Sequence, residues 1–97
     1  MKNYFLIILF TAFSSYSIAS DECDEIYVIA DNVMKLRQNN VSMKEVLTIQ
    51  PDSVLLQTVV VDAWKHRVYL LDNTKYAIQK EFASTWMDYC KTVKASS

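Results

Sequence analysis

The side chains equipped for covalent, metal or acid–base chemistry are few: Cys23 and Cys90, one histidine at position 66, and scattered carboxylates. A redox-active thiol pair generally has Cys-x-x-Cys spacing. Cys23 and Cys90 lie far apart and read as a structural disulfide, with a bridge between two chains as the other possible use. Closed within one chain, the bond links a loop of about 68 residues, which chain entropy values at about 4 kcal/mol. Nucleophilic catalysis needs a base within hydrogen-bond reach of a hydroxyl or thiol, and no motif around His66 selects one. One His and two Cys fall short of the usual zinc set. The chain has no glycine, so the tight phosphate-cradling loops of nucleotide sites have no means to form. Asp21, Glu22, Asp24 and Glu25 crowd together without the spacing of a calcium loop. They suit the start of a helix, where the dipole favours anions. Asp31 and Asp62 are harder to place, and nothing in the sequence ties them into an acid–base pair. The expectation is a protein that is not an enzyme and takes no metal or cofactor.

Recognition has a better candidate. Trp64, Lys65, His66, Arg67 and Tyr69 gather aromatic and cationic groups in six positions, and Trp, Tyr and Arg dominate interface hot spots. The competing reading puts Trp64 and Tyr69 in the core with Lys65 and Arg67 facing water. Lys65 to Arg67 is too short for a nucleic-acid patch. With Lys+Arg 10 against Asp+Glu 11 there is no basic excess, which argues against nucleic acid as a partner.

These residues must be held by a small molecule with a particular address. Lys2 starts a positive segment, Tyr4 to Phe13 is apolar but for Thr11, and Ser17-Ile18-Ala19 places small residues at the minus-three and minus-one positions. Residues 1–19 therefore read as a secretory signal peptide cut after Ala19. An uncleaved anchor is the other reading, but the apolar run is about half of the roughly 20 residues a spanning helix needs. Removing 19 of 97 residues leaves 78, residues 20–97, with 9 basic and 11 acidic side chains once Lys2 is gone. A domain this small is marginal without a covalent staple. Export to an oxidising compartment would let Cys23 and Cys90 supply it.

Periodicity predicts four helices. The first, about Asp21 to Gln38, carries Cys23, Ile26, Ala30, Val33, Met34 and Arg37 on one stripe. Asn39-Asn40 ends it, since Asn tolerates the left-handed conformation and no Gly is available. Ser42 and Glu45 have the spacing of a capping box, with Val41 and Val46 as its hydrophobic staple. Pro51 stops this short second helix near Gln50. Asp52 or Ser53 caps a third helix, whose Leu56, Val60, Ala63 and Trp64 share a face with Leu55 and Val59 beside them. The β-branched run Thr58-Val59-Val60-Val61 would suit a strand, but no second strand-like run exists to pair with it. The third helix fades over His66 to Leu71. Asp72-Asn73-Thr74 caps a fourth that runs to about Val93 with Ile78, Phe82, Trp86, Tyr89, Cys90 and Val93 inward. Joining Cys23 in the first helix to Cys90 in the last makes the expected fold all-α, a small four-helix bundle closed by one disulfide.

The order of these features resembles a family of small exported proteins of uncharacterised function encoded by phages and prophages of Gram-negative bacteria. The matching pieces are Cys23; Met34 with Arg37-Gln38; Val41-Ser42-Met43; Ala63-Trp64 with Arg67 and Tyr69; and Phe82 with Tyr89-Cys90. They span nearly the whole of residues 20–97. The family usually has Gly where Asn40 stands and often Pro near His66. The resemblance implies a periplasmic helical protein and assigns no molecular activity. Size, helicity and a single disulfide also look like the acid-stress periplasmic chaperones, an architectural analogy. Three classes follow. One is a periplasmic interaction or inhibitor protein that binds a protein partner in the periplasm or at the inner-membrane surface, modulating lysis timing or superinfection. The others are a chaperone that exposes apolar surface in acid and an immunity protein against a periplasmic toxin. Monomer and dimer both stay open.

Overall fold

The computed structural model describes residues 22–96, and the signal-peptide reading of residues 1–19 falls outside them. Among the described residues the regular structure is helical, without strands: α1 over residues 22–38, α2 Met43–Leu47, α3 Val54–Ala63 and α4 Asp72–Ser96. The β-branched stretch 58–61 is helical. Its Val59 and Val60 are buried, so tertiary burial outweighs a local strand preference.

Caps set the boundaries. Asn40 has φ 64°, the left-handed conformation that turns the chain out of α1, and Val41 N–H donates back to Leu36 C=O at 3.1 Å. Ser42 Oγ accepts from Glu45 N–H at 3.2 Å. Among the described residues the reciprocal bond from Ser42 N–H to the Glu45 carboxylate is not made, so one half of the capping box forms. α2 ends before Pro51, since Thr48 Oγ1 donates to Glu45 C=O at 2.6 Å and Thr48 N–H takes the same carbonyl at 3.2 Å. Ser53, not Asp52, caps α3 by accepting from Leu56 N–H at 3.0 Å.

The core is built from Ala30, Val33 and Met34 of α1, Val46 of α2, Leu56, Val59, Val60 and Ala63 of α3, and Phe82 and Ala83 of α4. Period 3.6 places each set on one face. α4 departs from its expected stripe at the far end. Tyr89 is 63% and Val93 46% exposed, because the short α3 leaves the last turns of α4 facing α1 alone.

α1 and α4 run antiparallel, as their ties show. Lys94 Nζ meets Glu22 Oε2 at 2.8 Å, Cys23 and Cys90 stand at disulfide distance with Cα atoms 5.5 Å apart, and Gln79 Nε2 donates to Asp31 Oδ1 at 2.9 Å. Lys75 Nζ closes the series on Gln38 C=O at 2.7 Å. α3 is likewise antiparallel to α4: Trp86 Nε1 donates to Asp62 Oδ2 at 2.9 Å, and the His66 ring meets Phe82 edge-on at 5.5 Å.

Candidate functional site

The connector from α3 to α4 carries the residues in question, and the end of α1 holds it. Trp64 closes α3 as its C-cap, and its N–H donates to Val60 C=O at 3.0 Å. Lys65 and His66 complete the turn, with His66 N–H on Ala63 C=O at 3.1 Å. Arg37 then grips the turn from α1. Its Nε and Nη2 both donate to His66 C=O, at 3.0 and 2.9 Å, while its guanidinium lies 5.3 Å from the centroid of the Trp64 ring. A guanidinium fork suits this double donation and can stack on an indole at once.

One position further along α1, Gln38 does the same for the next stretch. It is 2% exposed, the one buried polar residue among those described. Its Nε2 donates to Arg67 C=O at 2.8 Å, its Oε1 accepts from Tyr69 N–H at 2.9 Å, and Nε2 also lies 3.5 Å from Met34 Sδ. A buried amide costs free energy unless paired; here both ends are paired, and both partners are backbone groups of the connector.

The side chains therefore divide. Trp64 and Tyr69 are partly buried, and Trp64 packs on the core. Lys65, His66 and Arg67 are exposed, with Arg67 folded back over the Tyr69 ring at 5.2 Å. The connector continues into two residues the sequence reading passed over, Leu70 at 90% and Leu71 at 65% exposure. The adjacent Leu-Leu pair, off any helical stripe and next to Tyr69, was the available signal. Gln38 was visible in the sequence as the last residue of a helix, with nothing to show that it would be buried.

The carboxylates that the sequence left unassigned have structural partners. Asp31 binds Gln79 and lies 3.2 Å from Lys80 Nζ. The hydrogen bond to Asp31 holds the Lys80 ammonium above its ordinary range against an opposing desolvation, with the charge interactions of Asp31, Tyr27 and Tyr76 adding to the rise. Asp62 holds the Trp86 indole. Among the described residues no group of three or more His, Cys, Asp and Glu side chains could hold a metal ion, and no helix is long and apolar enough to cross a membrane.

Two open grooves flank α3. One, of about 770 Å3, lies against α4 between Val61, Lys65, Trp86 and Tyr89; the other, of about 1200 Å3, lies against α1 beside Val28, Ile29, Ile49 and Leu55. Neither encloses the connector.

No family model matches the chain, and no curated protein or solved structure is significantly similar to it. Arg37 and Gln38 from α1 meet Trp64, the His66 and Arg67 carbonyls and the Tyr69 amide, with Met34 Sδ against the Gln38 amide.

Proposed function

We propose that this chain is an exported, non-catalytic interaction protein of the phage or prophage type. In this reading residues 1–19 direct export, and the periplasm oxidises Cys23 and Cys90. The four helices form a disulfide-closed bundle. The protein then binds an envelope protein in the periplasm or at the inner-membrane surface and thereby alters lysis timing or blocks a second phage. One observation carries the reading: the connector that displays Arg67, Leu70 and Leu71 to solvent is fixed from behind by Arg37 and Gln38. Exposed leucines on a loose loop lose ordering entropy on binding, whereas a connector already held in place avoids much of that loss. The exposed leucines supply apolar area to bury, and arginine supplies a charge that selects its partner.

A photo-crosslinking residue at Leu70, in the full chain expressed in a Gram-negative host, tests this. The expected result is a covalent adduct with one envelope protein, lost when Arg67 is replaced by Glu, together with a shift in lysis time or in superinfection when the gene is deleted. Absence of any adduct with unchanged lysis and superinfection overturns the reading. An adduct with a periplasmic toxin moves the protein to the immunity class.

A further inference from the structure

The Gln38 amide treats the connector as a neighbouring strand would. Its N–H takes the carbonyl of Arg67 and its oxygen takes the N–H of Tyr69, at 2.8 and 2.9 Å. A residue in a parallel β-ladder makes this same pair of bonds to the two positions flanking its neighbour. Residues 67–69 belong to no helix or turn, and this pairing is the one an extended stretch makes. A second observation agrees: Arg67 lies over the Tyr69 ring at 5.2 Å, as side chains two apart on one face of a strand do. With the Arg67 C=O and the Tyr69 N–H on Gln38, an extended course turns the Val68 N–H and C=O the other way, and among the described residues neither has a hydrogen-bond partner. The half-buried Val68 backbone thus has the hydrogen-bonding character of a short strand edge whose inner side is closed by the Gln38 side chain.

We infer that this outer edge takes an extended segment of a partner protein by strand addition, with acidic side chains facing Arg67 and apolar side chains on the Val68 face. Strand addition draws affinity from backbone hydrogen bonds and specificity from alternate side chains. The exposed cations Lys65 and Arg67 select carboxylates, and the half-buried Val68 with the 90% exposed Leu70 beyond it offers apolar surface to the alternate positions. The inference rests on the interaction reading above and specifies its mode of contact.

The test uses the full disulfide-closed chain and a capped hexapeptide alternating glutamate and valine, followed by NMR and amide exchange. The expected result is a shifted Val68 amide whose exchange slows at least tenfold. Binding should weaken at least tenfold when the peptide's backbone nitrogens are methylated. Arg67→Glu, shown by circular dichroism to remain folded, should weaken the glutamate peptide at least fivefold and favour a lysine–valine peptide. Equal binding of the methylated peptide overturns strand addition, as does absence of any effect at Val68 at millimolar peptide, or protection centred on Val61, Trp86 and Tyr89. If the Leu70 crosslink still captures an envelope protein, the interaction reading stands while the strand edge fails; if the crosslink also fails, both fall.

Discussion

Asp62 receives the indole N–H of Trp86 at 2.9 Å. The bond spans α3 and α4, next to a groove that also contains Lys65 and Tyr89. A partly buried hydrogen bond to a charged acceptor contributes about 1.5–3 kcal/mol. Asp62→Ala should lower the unfolding free energy by an amount in that range, read by urea titration. The same variant should shift Trp86 emission to the red as water reaches the indole. An unchanged emission maximum, measured with Trp64 replaced by Phe to isolate the signal, would show that the bond is not made in solution.

Gln38→Met keeps the volume of the buried side chain and removes its amide. The Arg67 carbonyl and Tyr69 N–H would then face only thioether and methylene groups, without partners, a penalty of about 2–3 kcal/mol. Exchange of the Tyr69 amide should accelerate while amides in the middle of α4 stay protected. Uniform acceleration would mean that Gln38 supports the whole fold and not the connector in particular.

The left-handed turn at Asn40 makes opposite demands on two substitutions. Asn40→Gly should leave stability the same or slightly higher, since Gly occupies φ > 0 freely. Asn40→Val should cost about 1–2 kcal/mol. Thermal melts of the two variants side by side give the comparison, and equal midpoints would rule out the turn as a constraint.

The covalent tie should dominate stability. Closing a separation of 67 residues between Cys23 and Cys90 is worth about 4 kcal/mol on the chain-entropy estimate, against net stabilities of about 5–15 kcal/mol for small domains. Reduction, or Cys23→Ala with Cys90→Ala, should drop the melting midpoint by well over ten degrees, on the scale of about 4–8 °C per kcal/mol. Because cytoplasmic thiols stay reduced, the chain made without export should be far more sensitive to proteases.

Alkali should act through Lys80. Its ammonium is held above the ordinary 10.5 by the hydrogen bond to Asp31. A raised lysine contributes its stability in full below the unfolded value and loses it as pH rises through the folded value. As pH rises past the ordinary 10.5, the wild type should therefore lose more stability than Lys80→Met, which has no such charge to lose. The effect should be small, because the pair is partly solvated and salt screens it. Parallel loss in both proteins would assign the alkaline transition to other groups.

Much of the framework was legible because it depends on local spacing. The stripes through Cys23, Ala30, Val33 and Met34, and through Leu56, Val60 and Ala63, follow from helical period alone, and the structure buries them. The turn at Asn40 needed only the chemistry of a single residue, whereas the cap of α3 was legible as Asp52 or Ser53 and the fold chose Ser53. The stripe on α4 was legible as far as Cys90 but not at Tyr89 and Val93, since periodicity says which residues share a face and not how far a neighbouring helix extends along it. The site was legible in outline, as an aromatic and cationic cluster at 64–69, but its organisation was not. Arg37 and Gln38 are about 30 positions from the carbonyls they hold, and no local pattern announces a contact at that distance.

Taken by itself, the sequence determined the helices, most of their ends and the two sulfurs available to be joined, because period, caps and cysteine count act along the chain. Tertiary structure alone decided that Gln38 is buried against the connector, that Asp31 and Asp62 tie helices together, and that Leu70 and Leu71 face outward. Each of these depends on which groups from distant segments can satisfy one another's hydrogen bonds out of water, and that is settled only when the helices pack.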